Sequence, residues 1–175
     1  MKKFLKALCT VSVIISVLAP LTGCGESASK AEAFVDYMSQ FEDDIIILEA
    51  IRTTEDQFNG TSNYSKKATY ASSLESYADE LLEIAQKRNT AITDTELKEI
   101  DDIYIQGITE ARNSYKLYKQ GIVESDNGKI TAGLQQNSNA VSSFQRYGEK
   151  LDDFRQKYNV DNQELLKKML FEFNN

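Results

Sequence analysis

Histidine and tryptophan are absent from the 175 residues, proline occurs once and cysteine twice. Without histidine there are no His-ligated zinc sites, no Ser-His-Asp triad and no Glu-x-x-His metal site of the ferritin-like kind. Two cysteines cannot build a dense disulfide framework. Basic residues are the minority, 20 Lys plus Arg against 27 Asp plus Glu, for a formal charge of −7. That balance argues against broad nucleic-acid binding, whose affinity comes from cations meeting phosphates. No Gly-rich phosphate loop is present. No strained nucleophile turn marks a catalytic serine. Glycoside hydrolysis by paired carboxylates wants a cleft with aromatic platforms, which a narrow, tryptophan-free helical bundle does not suggest. Glu124-Ser125-Asp126-Asn127-Gly128 comes nearest to a calcium loop, but its spacing is wrong and it reads as a turn. No catalytic constellation, metal site or cofactor motif is recognisable.

What is present begins with the N-terminus. Lys2, Lys3 and Lys6 precede an apolar run from Ala7 to Leu21 that contains no charge and ends beside Pro20. The run is shorter than the ~20 apolar residues of a membrane-spanning helix and reads as a targeting segment over 1–23. Cys9 sits inside it as an ordinary apolar residue, preceded by the bulky Leu8. Leu21-Thr22-Gly23-Cys24 follows. An aliphatic residue, two small residues and a cysteine at this distance from a basic start resemble the lipobox of bacterial lipoproteins. The resemblance covers only this segment. It implies a diacylglyceryl group, with or without an N-acyl chain, on the Cys24 thiol. It also implies cleavage between Gly23 and Cys24, and residence on the extracytoplasmic face of the cell membrane. Two chains anchor stably where one binds reversibly, since each buried methylene contributes ~0.8 kcal/mol. Cleavage removes three lysines and no acid, leaving a still more acidic mature chain in which Cys24 is the sole cysteine.

Residues 24–29 read as a lipidated Cys and tether, whose small, polar stretch over 25–29 reaches at most about 17 Å when extended. Residues 30–175 then read as one helical domain. Apolar residues recur at three and four throughout. Phe34, Met38, Phe41, Ile45, Leu48, Ile51 and Phe58 form one stripe, which predicts a continuous first helix from Lys30 to Phe58, widened and heavily buried at Ile46 and Ile47. Asn59-Gly60 stops it. Tyr64, Ala68, Ala71, Leu74, Tyr77, Ala78, Leu81, Ile84 and Ala85 mark a second helix over 63–88. A third starts after Thr93 or Asp94, both good caps, and runs to Ile122. A fourth, with Leu134, Ala140, Val141, Phe144, Tyr147, Leu151, Phe154 and Tyr158, covers 129–158. Asp161 with Glu164 resembles a capping box before a short fifth helix over 162–173. The predicted fold is all-α: an antiparallel up-down four-helix bundle with a short fifth C-terminal helix.

The acidic clusters Glu42-Asp43-Asp44, Asp101-Asp102 and Asp152-Asp153 are read as solvated faces, because neighbours in sequence splay around a helix. The tyrosines suit core edges, ring buried and hydroxyl at a polar partner. Tyr70 and Tyr118 are also candidates for a surface that grips a partner or ligand. Arginine within an apolar pattern can pair with a buried acid or hold an anion. Arg52, Arg88, Arg112, Arg146 and Arg155 all qualify; Arg112 and Arg146 lie nearest the apolar stripes and join Tyr70 and Tyr118 as candidates for the partner or ligand surface. The mature part is similar in general character to small helical lipoproteins of Gram-positive bacteria. The expectation is a non-enzymatic, envelope-tethered interaction or accessory module, with the membrane as one partner and another envelope protein as the other. The alternative is a carrier or sensor of a small ligand.

Overall fold

The computed structural model describes residues 25–160. The targeting segment, Cys24 and the expected fifth helix over 162–173 lie outside the described residues.

The described chain is all-helical, with five helices packed against each other: α1 (Gly25–Ser39), α2 (Glu42–Gly60), α3 (Tyr64–Ala91), α4 (Thr95–Glu124) and α5 (Asn127–Lys157). Three of the helix starts are set by side-chain caps. Asn63 Oδ1 accepts from the Lys66 amide. Asp94 Oδ1 accepts from the Glu96 and Leu97 amides at 3.0 and 3.1 Å. Asp126 Oδ1 accepts from the Gly128 and Lys129 amides. Each cap satisfies helix N–H groups that have no carbonyl partner within the helix. α4 ends with Ser125 in the left-handed conformation (φ 56°).

Two expectations about the first helix are corrected. Residues 25–29, read as a tether, belong to α1. The single helix over 30–58 is broken in two. The Gln40 and Phe41 amides bond back to the carbonyls of Tyr37 and Met38, tightening the turn, and the helix restarts at Glu42. Its first turn carries Glu42, Asp43 and Asp44, which suit the positive end of a helix dipole. The break also changes the buried face. Ile47, Ile51 and Phe58 are buried, but Ile45 and Ile46 are exposed, Ile46 at 67%. Tyr64 and Leu134, placed on apolar stripes by their spacing, are exposed as well.

The core runs along α3, α4 and α5. α3 contributes Leu74, Ala78, Leu81 and Ala85, and its alanines let neighbouring helices come close. Leu97, Ile100, Ile108 and Ala111 of α4 face Ala140, Phe144, Leu151 and Phe154 of α5 across the same core, with Phe34 of α1 stacked on Phe154. Gly107 belongs to this packing. A Cβ there would stand 2.9 Å from the Phe144 ring, so glycine is what lets the ring lie on the α4 backbone. Ser114 Oγ donates to the Gly133 carbonyl at 2.9 Å and joins the same two helices through a buried hydrogen bond.

Candidate functional site: a buried arginine shared by two carboxylates

Arg88 lies three residues after Ala85 and seven after Leu81, on the apolar face of α3, and is buried. Its guanidinium spends its donors on two carboxylates. Nη1 donates to Asp44 Oδ1 of α2 at 2.7 Å. Nε and Nη2 donate to Asp101 Oδ1 of α4 at 3.2 and 3.1 Å. Asp44 and Asp101 are both wholly buried, at 0%. Tyr104 Oη donates to Asp44 Oδ2 at 2.9 Å. Tyr37 Oη of α1 donates to Asp101 Oδ1 at 2.9 Å. That commits the one proton of Tyr37, so Tyr147 of α5 donates to Tyr37 across their 2.9 Å contact. The Phe41 ring, in the break between α1 and α2, lies against the guanidinium with its centroid 3.8 Å from Cζ. Each of the five described helices therefore contributes a side chain to one polar knot.

The electrostatics follow from burial. Removal from water pushes the Asp44 carboxyl above its usual range, against the pull of Arg88 and the Tyr104 hydroxyl. Burial alone would lower the Arg88 pKa, but Asp44 and Asp101 outweigh it and hold the guanidinium charged. Tyr37, Tyr104 and Tyr147 are raised chiefly by burial and stay protonated donors. One positive and two acidic groups leave the knot with a surplus carboxylate, and Asp101 Oδ2 is a buried oxygen with no hydrogen-bond partner. The bland reading of the acidic clusters is thus overturned at two positions. Asp44 and Asp101 are inside, while their neighbours Asp43 and Asp102 are exposed. Asp152 and Asp153 stay at the surface or its edge.

A second buried carboxylate lies further along α2. Glu55 Oε1 accepts from Tyr115 Oη at 2.8 Å. Burial, only partly offset by that bond, pushes Glu55 up to about 7. Tyr118, pushed up to about 12 by burial and by Glu55, packs with Phe58 and Ala71 in a small separate cluster, with Tyr70, Ile122 and Ile130 at its edge.

The sequence-derived candidates divide between these places. Tyr70 and Tyr118 do come together, in the Phe58 cluster; Tyr118 is buried and Tyr70 half-buried. Arg112 instead pairs with Asp79 of α3, and Arg146 is exposed on α5. No described contact joins either arginine to the aromatic cluster. Arg88, one of five ambiguous arginines in the sequence, is the one that pairs with buried acids. Asp44, Asp101 and Glu55 were missed. Their signal was spacing: Asp44 lies three and seven residues before Ile47 and Ile51, and Asp101 lies four after Leu97 and three before Tyr104.

A cleft of about 310 Å³ opens between α1 and the α3–α4 turn, lined by Glu32, Asp36, Tyr37, Gln40, Asp94 and Leu97 among others. Among the described residues, no helix is long and apolar enough to cross a membrane. Nor does any group of three or more His, Cys, Asp or Glu side chains there offer a metal site. No family model matches the chain, and no curated protein or solved structure matches it.

Proposed function

We propose that this chain is a lipid-anchored extracytoplasmic module that engages another protein of the cell envelope through a helical surface and has no catalytic role. The anchor in this reading is diacylglycerol on Cys24, after cleavage between Gly23 and Cys24, as the resemblance of Leu21-Thr22-Gly23-Cys24 to a lipobox implies. The four long helical units, α1 with α2 and then α3, α4 and α5, run alternately up and down. In support, Asp44–Tyr104 and Glu55–Tyr115 are both separated by 60 residues, as two helices running the same way require. The turns between α2, α3, α4 and α5 are only two or three residues long.

The observation that carries the interaction reading is where apolar side chains are exposed. Tyr64 opens α3, Val123 ends α4 and Leu134 lies in the first turns of α5, exposed at 72%, 68% and 55%. Single exposed apolar residues are common on any protein. Tyr64 and Val123 flank the turns that close one end of the bundle, near the Phe58–Tyr70–Tyr118 cluster, and Leu134 lies two turns further along α5. Ile45 and Ile46 of α2 are exposed as well, away from this end. Three of the five large apolar side chains exposed among the described residues thus lie on the α2–α3 and α4–α5 side of the bundle, which suits a partner surface there. Tyr118 is too deep to touch a partner directly and supports Tyr70 from behind.

Cross-linking of the full chain in intact cells, read by mass spectrometry, tests this. The expected result is a recurrent envelope protein that is lost from Tyr64→Ala and Leu134→Ala variants of unchanged abundance. A cross-linked set in both variants that is unchanged from the wild type overturns the surface.

The second reading, a small-ligand carrier, draws on the cleft beside α1. Its mainly polar lining carries the exposed carboxylates Glu32 and Asp36, with Ile92 and Leu97 beside them. Such a lining favours a small cationic ligand. Native mass spectrometry of the purified protein tests it, with a retained small cation as the supporting result.

A further inference from the structure

We propose that the bundle stands end-on against the phospholipid surface, held there by α1 itself. The end that touches the headgroups is formed by Ser27–Lys30, Thr93–Glu96 and Lys157–Val160. The inference deepens the lipoprotein reading and rests on it.

Cys24, the residue that carries the lipid in that reading, immediately precedes Gly25, and α1 begins at Gly25. No free linker separates the anchor from the fold. The opening turns of α1 are fastened to two other helices. Ser27 Oγ donates to the Tyr158 carbonyl at 3.0 Å. Lys30 Nζ meets Asp94 Oδ2 at 2.7 Å, and the same ammonium lies over the rings of Phe154 and Tyr158. Further along, Phe34 stacks on Phe154 and Tyr37 bonds to Tyr147. α1 therefore leads from this end into the bundle, and the acyl-bearing residue sits one Cα step of about 3.8 Å from the helix.

A lipid anchor so close cannot leave the end of the bundle far from the bilayer. The charges at this end suit such a position. Lys30 sits on Asp94, and Lys157 sits on Glu96 at 3.0 Å. Two carboxylates of this end are thereby offset by ion pairs before they meet the headgroups, while Glu32 of α1, beside the cleft, stays exposed. The 30 residues of α4 then place its far end about 45 Å away along the axis. The turns at Thr61–Asn63 and Ser125–Asp126, with exposed Tyr64 and Val123, face outward toward other envelope components.

The test uses the full chain, processed and lipidated, in phosphatidylglycerol–phosphatidylethanolamine vesicles that carry a headgroup-attached nitroxide. Cys9 is removed with the signal and the Cys24 thiol is acylated, so a cysteine introduced at exposed Ser29 or Ser62 takes a fluorophore alone. Ser29→Cys should be quenched severalfold more than Ser62→Cys. Inserting fifteen Gly-Ser residues between Cys24 and Gly25 should reduce that quenching to the Ser62 level while the protein stays on the vesicles. Equal quenching at the two sites, or quenching indifferent to the insertion, overturns the end-on arrangement. Loss of vesicle association, with no acyl mass on Cys24, overturns the lipoprotein reading and this proposal with it; flotation of the vesicles distinguishes that failure from the other.

Discussion

Arg88 of α3 and Asp44 of α2 form a 2.7 Å ion pair from which water is excluded on both sides. A buried pair contributes little relative to a well-packed apolar pair, yet breaking it is costly because the surviving charge has no partner. Arg88→Met should destabilise the protein by about 3–5 kcal/mol in urea unfolding. Adding Asp44→Asn and Asp101→Asn should return part of the loss, since the stranded charges go with them. A single Arg88→Met variant as stable as the wild type would contradict the knot.

Glu55 gives the pH dependence. Its folded pKa of about 7 lies above the ordinary value of 4.5. The neutral acid is the form that the folded state favours. Its contribution is present in full below pH 4.5 and is lost as pH rises through about 7. Above that range ionised Glu55 costs about 3 kcal/mol, taking 1.36 kcal/mol per pH unit. Glu55→Gln keeps an acceptor for Tyr115 and removes the charge. It should unfold at higher denaturant than the wild type at pH 8.5, by that order, with the difference shrinking toward pH 5.

Gly107 and Gly148 make a paired test on α4 and α5. A Cβ at Gly107 meets the Phe144 ring at 2.9 Å, whereas a Cβ at Gly148 meets nothing within 4 Å. Gly107→Ala should destabilise by about 1–3 kcal/mol through overpacking. Gly148→Ala should stabilise by up to about 1 kcal/mol, the helix preference of alanine over glycine. Thermal unfolding of the two variants should move in opposite directions.

Lipidation has its own test. Cys24→Ala should abolish incorporation of labelled palmitate and leave the signal segment uncut or the protein released from the membrane fraction. Labelled palmitate retained by the variant would sink the lipobox assignment.

Much of the fold was legible because helix signals are local. Asp94 as a cap, the stop at Gly60 and the Ala71–Ala85 face of α3 all follow from spacing and capping chemistry within a few residues; the turn read over 124–128 narrows to Ser125–Asp126, since α5 already starts at Asn127. The break at Gln40–Phe41 was not legible. Neither residue is a helix breaker, and Phe34, Met38, Phe41 and Ile45 keep helical spacing straight across it. The break lets Phe41 cover Arg88 while Asp44, not Ile45, turns inward, a tertiary choice that no local window contains. The buried acids were hidden for a related reason. Asp43-Asp44 and Asp101-Asp102 look alike in sequence, and only helix phase tells the inward member from the outward one.

The shared arginine also bears on which alignment of the helices is adopted. Apolar stripes repeat every turn, so two greasy faces packed together resist sliding only weakly. A slip of one turn moves a side chain about 5.4 Å along its neighbour. Leucine against alanine survives that exchange with modest loss. Arg88 does not: displaced by a turn, it leaves Asp44 and Asp101 facing hydrocarbon, and the penalty falls on every misaligned packing at once. With Tyr37, Asp44, Asp101 and Tyr147 drawn from the other four helices, one guanidinium acts as a registration mark for the whole assembly.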